Sequence, residues 1–213
     1  MVKAIFFDFD GTLADTAPGI VLTMRESFRE LGMDIPSEAD IRQTIGLPLI
    51  DAMMMLGGLD REGGERATEA YRRLFPIYEV THITIFSEVA QTLKALHSRG
   101  IRMAVCTSRG LESLESILGR NGLLEYFETS VTNSDHLAPK PSPEMVNVLL
   151  DRMRLQKEDV LVVGDTTFDI GMGNAAGCRT VAVTYGNHSL SQILEASPTF
   201  VIDRFSDLLS MAI

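Results

Sequence analysis

The chain has 213 residues, of which 45% are hydrophobic and 23% are charged, and its formal net charge is −10. This composition is typical of a globular protein with a substantial core. The negative charge argues against general nucleic-acid binding, because no basic excess is available to displace counterions from phosphates. No apolar stretch reaches the roughly 18 residues that span a bilayer, and the start does not fit a signal peptide. We therefore expect a cytoplasmic protein without a membrane partner.

Short apolar runs alternate with longer helical patterns along most of the chain. Strands are predicted at residues 4–7, 102–106, 129–132, 160–163, 180–183 and 200–202. Helices are predicted at residues 88–98, 111–121, 143–153, 169–176 and 189–196, with Ser142 as the N-cap of the third. Continuous apolar runs such as DVLVVGD are typical of parallel strands that are buried on both faces. The alternation predicts an α/β fold with a doubly wound, mostly parallel sheet.

A long segment interrupts this alternation between the first two predicted strands. Roughly ninety residues separate these strands, whereas an ordinary crossover needs about a dozen. Within the segment, helices are predicted at residues 20–31, 39–45, 47–56 and 62–78. We expect residues 15–85 to form a small helical cap domain, and residues 1–14 with 86–213 to form the α/β core. Ligands bind open α/β sheets at the carboxyl ends of the strands, so the cap is expected to lie there.

Polar residues follow four successive predicted strands at their carboxyl ends. They are Asp8 and Asp10, then Thr107 and Ser108, then Lys140, and finally Asp165 and Asp169. Taken alone, each is compatible with an ordinary turn or helix cap. Because the topology brings these strand ends to one edge of the sheet, the repetition predicts a functional site.

The charges of this set indicate what the site would bind. Four aspartates and one lysine leave an excess of three negative charges, which would repel an anionic substrate. A divalent cation offsets this charge, and oxygen ligands without histidine or cysteine favour Mg²⁺ over zinc. A phosphate ester is the anion that a metal, a lysine and a hydroxyl would hold together. In such a site Asp8 would attack phosphorus, and Asp10 would transfer protons to the leaving oxygen and from the attacking water.

The motifs resemble, in their order, those of the haloacid dehalogenase superfamily. They are DFDGT at residues 8–12, RMAVC followed by Thr-Ser, KPSPE at 140–144 and GDTTFD at 164–169. The helical segment after the first motif makes the chain similar in particular to the phosphoglycolate phosphatase-like branch. This resemblance implies a Rossmann-like core and a magnesium-dependent phosphatase. It also implies that a small phosphorylated metabolite is hydrolysed through an aspartyl-phosphate.

The resemblance further implies roles for individual residues. Asp8 matches the nucleophile and Asp10 the acid/base, while Asp8, the backbone carbonyl of Asp10 and Asp165 match the magnesium ligands. Lys140 matches the lysine that offsets charge on the nucleophile and on the phosphate. Asp169 matches the acid that orients the lysine or a water molecule on the metal.

The phosphate-binding residues follow from the same resemblance. Thr107 and the backbone amide of Ser108 match the groups that clamp the phosphate. Gly11 and Thr12 match a turn whose amides face it, as in other backbone anion sites.

Other branches of the superfamily fit less well. The dehalogenases resemble this chain but lack a carboxylate at the position of Asp10. Phosphonate-cleaving members use a cap lysine, and residues 15–85 contain none. Sugar-phosphate mutases carry basic residues around a cap-loop glycine, where this chain has Ile45 and Leu49 around Gly46. A mutase and a non-catalytic phospho-ligand-binding module are the remaining alternatives, and the complete acidic set argues against the module.

The cap loop at residues 44–49 indicates the size of the substrate. Gly46 would allow the cap to approach the core, whereas Ile45, Leu47 and Leu49 offer no hydrogen bonds to sugar hydroxyls. We therefore expect a small phosphomonoester, with phosphoglycolate as the first candidate. Arg42 is expected to be a solvated helix residue rather than a substrate ligand. The sequence is compatible with a monomer and does not fix the oligomeric state.

Overall fold

The computed structural model describes residues 2–211, so Met1, Ala212 and Ile213 of the predicted core domain lie outside the described residues. The strands are β1 Ala4–Phe7, β2 Ala14–Asp15, β3 Thr84–Ile85, β4 Arg102–Cys106, β5 Thr129–Val131, β6 Val160–Gly164, β7 Arg179–Val183 and β8 Phe200–Ile202. The α-helices are α1 Ala17–Glu30, α2 Glu38–Thr44, α3 Leu49–Gly57, α4 Arg61–His82, α5 Val89–Ser98, α6 Leu111–Arg120, α7 Glu144–Met153, α8 Thr167–Ala175 and α9 Leu190–Glu195. None of the described helices combines the length and the apolar character needed to cross a membrane.

Six of the strands form one sheet in the order β5–β4–β1–β6–β7–β8. Every neighbouring pair in this sheet is parallel, and Phe7 of β1 lies opposite Val105 of β4 and Val163 of β6. The chain proceeds from β1 outward to β4 and β5, and then returns to β6 on the other side of β1. The carboxyl ends of β1 and β6 therefore flank the switch point, where open α/β sheets bind their ligands. The predicted doubly wound, mostly parallel sheet is confirmed.

Helices cover both faces of this sheet. Successive side chains of β1 point to opposite faces, so Ile5 and Phe7 belong to one buried cluster, and Ala4 and Phe6 to another. Helices α5 and α6 contribute to the first cluster, and α7 and α8 contribute to the second. Burial on both faces explains why the strands read as continuous apolar runs in the sequence.

Helices α1 to α4 form the long insertion after β1. Strands β2 and β3 join the two ends of the insertion as an antiparallel pair, with Ala14 opposite Ile85 and Asp15 opposite Thr84. Phe28 and Met53 of the insertion belong to the same hydrophobic cluster as Phe7 of the core. The strand pair lies at the proposed boundaries of the cap, and the division into a cap at 15–85 and a core remains our proposal.

Of the described helices only α6 begins at its predicted residue, and the other starts differ by one to three residues. Two of these differences involve a proline. Helix α7 begins at Glu144 with Pro143 at the N-cap position, so the prediction of Ser142 as N-cap is wrong by one residue. Helix α1 begins at Ala17, three residues before the predicted start. Pro18 is the reason for this difference, because a proline in a sequence usually indicates the end or the absence of a helix. It is tolerated in the first turn of α1, where its missing N–H is not needed.

Candidate active site

Three buried aspartates converge at the switch point of the sheet. Asp8 follows β1, Asp165 follows β6, and Asp169 lies in the first turn of α8. Each contributes one carboxylate oxygen to a group whose atoms all lie within 4.8 Å of one another. We call these three residues the carboxylate cluster. The prediction that these strand ends meet at one edge is therefore confirmed by their positions.

Lys140 inserts its ammonium group between two members of the carboxylate cluster. Its Nζ donates to Asp8 Oδ1 at 2.5 Å and to Asp169 Oδ1 at 2.7 Å, and its side chain is fully buried. Burial alone would lower the pKa of Lys140, but the attraction of Asp169 and Asp8 outweighs it and raises the pKa. Lys140 is therefore a permanent cation that balances only one of the three carboxylates.

Burial and the remaining negative charge raise the pKa values of carboxylates in the cluster. Burial raises the pKa of Asp8 well above its ordinary value, and the neighbouring carboxylates add to this increase although Lys140 opposes it. Burial likewise raises the pKa of Asp165 to about 7. Two carboxylates beyond the one that Lys140 balances match the charge of a divalent ion, and oxygen-only donors suit a hard cation. The residues present therefore fit a divalent metal, which would favour the ionised carboxylates.

Neighbouring side chains hold Asp165 and Asp169 in place. Thr12 Oγ1 donates to Asp165 Oδ1 at 3.1 Å, and Asn187 donates to Asp165 Oδ2 through its backbone N at 2.7 Å and its Nδ2 at 3.0 Å. Asn187 Nδ2 also donates to the carbonyl oxygen of Asp10 at 3.4 Å. Asp169 Oδ2 accepts from the Thr166 backbone N at 3.0 Å and Oγ1 at 2.6 Å, so its Oδ1 is left for Lys140.

In the turn after β1, the backbone amides that lack a hydrogen-bond acceptor are not the ones that were expected. Gly11 has a φ of +90°, which favours glycine, and a Cβ there would lie 2.2 Å from Asp165 Oδ2. The Gly11 amide donates to the Ala14 carbonyl at 2.8 Å, and the Thr12 amide donates to the Phe9 carbonyl at 3.4 Å. Both amides therefore already have acceptors within the turn, whereas the resemblance implied that they face the phosphate. Among the described residues, the amides of Phe9 and Asp10 instead have no hydrogen-bond acceptor.

The residues after β4 connect the core with the inserted loop. Thr107 is buried, and its Oγ1 accepts a hydrogen bond from the Arg109 amide at 3.1 Å. Ser108 Oγ donates to the Gly46 carbonyl at 2.6 Å, whereas the Ser108 amide has no acceptor within the described part of the chain. The free amide is compatible with the predicted phosphate contact.

Asp10 does not join the carboxylate cluster but pairs with Arg109. Arg109 Nε donates to Asp10 Oδ2 at 3.2 Å, and a second guanidinium nitrogen donates to Asp10 Oδ1. The two side chains are only 7% and 13% exposed. The sequence-based charge count overlooked this arginine, which compensates Asp10 and leaves Lys140 to the other three aspartates.

A cavity of about 710 Å³ extends from Asp10 and Ser108 toward the inserted helices. Ile45, Leu47 and Leu49 line it, in agreement with the expected apolar wall. Arg42 does not line it and pairs instead with Glu38 at 2.9 Å on the surface, as expected for a solvated helix residue. The residues that line the cavity from α4 are two aromatic residues, an arginine, a proline and a glutamate: Tyr71, Phe75, Arg72, Pro76 and Glu79.

The fold and the carboxylate cluster together define a doubly wound α/β protein with a helical insertion and a candidate metal site at the switch point of its sheet. A family model described as haloacid dehalogenase-like hydrolase matches residues 5–183. The chain therefore belongs to the haloacid dehalogenase-like hydrolase family, as its motifs predicted.

Individual relatives cover nearly the whole chain. A protein named "Probable phosphatase IndB" from Dickeya dadantii is 35% identical over 100% of this chain and 94% of its own length. A protein named phosphoglycolate phosphatase from Pectobacterium atrosepticum is 29% identical over 99% of this chain and 92% of its own length. The crystal structure of a haloacid dehalogenase-like hydrolase from Bacteroides fragilis superimposes with a TM-score of 0.93 and 28% identity, covering 98% of this chain and 100% of that chain. The chain is thus similar to phosphatases of this family over its full length.

Proposed function

We propose that this hydrolase is a magnesium-dependent phosphatase that cleaves a small phosphomonoester through an aspartyl-phosphate on Asp8. The observation that carries the proposal is the burial of Asp8 beside Asp165, Asp169 and Lys140 at the switch point. Such a site holds one carboxylate in a fixed position and has the charge to bind both a divalent cation and a phosphate.

The proposed reaction proceeds in two displacements at phosphorus. In the first, a carboxylate oxygen of Asp8 forms a bond to phosphorus while the bond to the ester oxygen breaks, and Asp10 protonates the departing alcohol. In the second, Asp10 removes a proton from a water molecule that attacks the same phosphorus. The bond to Asp8 then breaks, which releases inorganic phosphate and restores the carboxylate.

The phosphate would be held by groups that the site leaves available. Lys140, Thr107 and the amide of Ser108 are the proposed contacts from the sequence, and the unpaired amides of Phe9 and Asp10 add two donors. We propose no contact from Gly11 and Thr12, since their amides donate within the turn that shapes the site. The backbone donors are fixed by the fold and need not reorganise as charge develops on the phosphate.

Asp8, the backbone carbonyl of Asp10 and Asp165 are the residues that would hold Mg²⁺. When bound, the ion supplies positive charge that keeps the carboxylates ionised and offsets charge on the phosphate. Asp169 would orient Lys140, because it contacts the lysine directly and is itself fixed by Thr166.

The cavity supports a small phosphorylated metabolite as substrate. Its walls include Ile45, Leu47 and Leu49, which would leave sugar hydroxyls without partners at a cost of roughly 1–3 kcal/mol for each buried group. Relatives named phosphoglycolate phosphatase make phosphoglycolate the first candidate.

A panel of phosphate esters tests this proposal. Phosphate release is measured with phosphoglycolate, glycerol phosphate and hexose phosphates, each with Mg²⁺ and with a chelator. We expect magnesium-dependent release, with small anionic esters leading in kcat/KM and with no turnover by the Asp8→Asn variant. No release from any ester by the magnesium-loaded protein would contradict the proposal.

A further inference from the structure

Arg109 occupies a position at the cavity that the catalytic steps above do not explain. Arg109 lines the cavity together with Asp10 and Ser108, yet its side chain is only 7% exposed. A buried guanidinium is strongly disfavoured unless its N–H groups have partners. The partners of Arg109 therefore indicate what this part of the cavity accommodates.

The described contacts leave part of the guanidinium without a partner. A guanidinium carries five N–H donors. Two of them donate to the Asp10 carboxylate and a third donates to Ser113 Oγ at 2.8 Å. Two N–H groups thus have no acceptor among the described residues.

Two aromatic rings pack against this guanidinium. The Arg109 Cζ lies 5.5 Å from the ring centroid of Phe9 and 5.1 Å from that of Phe75. Contacts of this kind hold an arginine while leaving its hydrogen-bonding edges accessible. Phe75 also lines the cavity, so the arginine is held in place by the wall of the cavity itself.

The other arginine at the cavity lacks these features. Arg72 lines the cavity from α4 but is exposed, and no carboxylate pairs with it in the described part of the chain. An exposed, solvated cation contributes little to recognition, whereas a buried guanidinium with N–H groups still free can give a carboxylate strong, directional hydrogen bonds. Arg109 is therefore the cavity cation best placed to select a ligand.

We propose that Arg109 recognises a carboxylate on the alcohol part of the substrate, so that the enzyme selects phosphomonoesters of short hydroxy acids. This inference rests on the proposed phosphatase function. Arg109 contacts Asp10 directly, and Asp10 contacts the ester oxygen in that reaction. The carboxylate of the substrate must consequently lie only a few bonds from the ester oxygen.

Two esters that differ in one group test this assignment. Phosphoglycolate and ethyl phosphate share the transferred phosphate and the ester oxygen, but the first has a carboxylate where the second has a methyl group. We expect wild-type kcat/KM to favour phosphoglycolate by about 30-fold or more, as for a charge-assisted hydrogen bond. In Arg109→Gln this preference should fall to about threefold or less, and in Arg109→Lys, which keeps the charge but loses the fork, it should fall to an intermediate value. The matched control Arg42→Gln, an arginine outside the cavity, should keep the wild-type preference.

A binding measurement covers variants whose turnover is too low to measure. Calorimetry with the magnesium-loaded protein compares 3-phosphonopropionate with propylphosphonate, which are uncleavable counterparts of the two esters. The assignment predicts that Arg109→Gln loses the preference for the carboxylate in binding as well.

The outcomes separate this assignment from the proposed function. An Arg109→Gln variant that retains the wild-type preference in turnover or binding overturns the assignment, as does a wild-type enzyme that hydrolyses both esters equally. Hydrolysis of glycerol phosphate or hexose phosphates but of neither test ester would likewise overturn the assignment while leaving the phosphatase function intact, whereas hydrolysis of no ester at all would contradict the phosphatase function itself.

Discussion

Ser108 Oγ lies 2.6 Å from the carbonyl oxygen of Gly46 and thereby connects the end of β4 with the inserted loop. The loop approaches the core closely at this point, since a Cβ on Gly46 would lie 3.1 Å from Phe168 Cδ2. Gly46 also has a φ of +105°, which disfavours other residues. The contact places the inserted segment against the same residues that are proposed to bind phosphate.

The Gly46→Leu variant is expected to lower kcat/KM for small esters by roughly 10–100-fold, because the added side chain displaces the loop from Ser108. Steady-state kinetics with phosphoglycolate provides the measurement. Gly58→Leu is the matched control, since Gly58 has a φ of +58° but no atoms within 4 Å of a built Cβ. Equal losses in both variants would show that strain alone, and not the loop contact, explains the effect.

Lys140→Met removes the one cation that contacts the carboxylate cluster among residues 2–211. We expect the metal-free protein to lose roughly 3–5 kcal/mol of unfolding free energy at neutral pH, as is typical when one partner of a buried ion pair is removed. Urea unfolding monitored by circular dichroism measures the change. Lys94→Met, which alters an exposed lysine on α5, should change stability little. Similar stability of both variants would contradict the description of Lys140 as the buried counterion.

Asp165→Asn should change how the stability of the metal-free protein depends on pH. The folded-state pKa of Asp165 is about 7, above the ordinary 3.8, so the native state keeps a proton that the unfolded chain loses between these values. The stability contributed by this group is therefore present below about pH 4 and is lost as the pH rises to about 7. Removing the charge should make the variant increasingly more stable than the wild type across that range.

Melting temperatures in the presence of a chelator, taken from pH 4 to pH 8, check this expectation. The exposed Asp151→Asn variant serves as control and should run parallel to the wild type. A constant difference between Asp165→Asn and the wild type at every pH would argue against the raised pKa.

Metal replacement tests the assignment of the cation. Removal of Mg²⁺ with a chelator should abolish phosphate release, and Ca²⁺ should restore it poorly because its larger, irregular shell suits the site less well. Phosphate release is measured after dialysis and again after each ion is added back. Undiminished release in excess chelator would exclude Mg²⁺ as a required ion.

Much of the fold could be predicted from the sequence because parallel strands that are buried on both faces leave continuous apolar runs. Asp8, Lys140, Asp165 and Asp169 were predicted as site residues because they follow these runs. The structure brings all four together. Asn187 also follows a strand, β7, but its neutral amide in the segment TYGNHS gives no charge signal that distinguishes it from an ordinary turn residue. Strands β2 and β3 were missed because two residues are too few to show a periodicity.

Other features depend on geometry that sequence patterns do not carry. The pairing of Asp10 with Arg109 joins residues 99 positions apart, and no spacing rule connects them. Which amides of the turn after β1 remain unpaired likewise depends on which N–H groups lie within hydrogen-bonding distance of a carbonyl in the folded turn. Sequence reasoning assigned Gly11 and Thr12 to the phosphate, whereas the folded turn leaves the amides of Phe9 and Asp10 unpaired.

The covalent intermediate on Asp8 is the central claim, and chemical trapping tests it most directly. An aspartyl-phosphate is an acyl phosphate, which borohydride reduces so that homoserine replaces the aspartate. The enzyme is mixed with phosphoglycolate and Mg²⁺, quenched with borohydride and analysed by mass spectrometry of its peptides. We predict homoserine at position 8 in the wild-type protein, and none when substrate is omitted. Reduction at a different residue, or turnover with an unmodified Asp8, would contradict the mechanism.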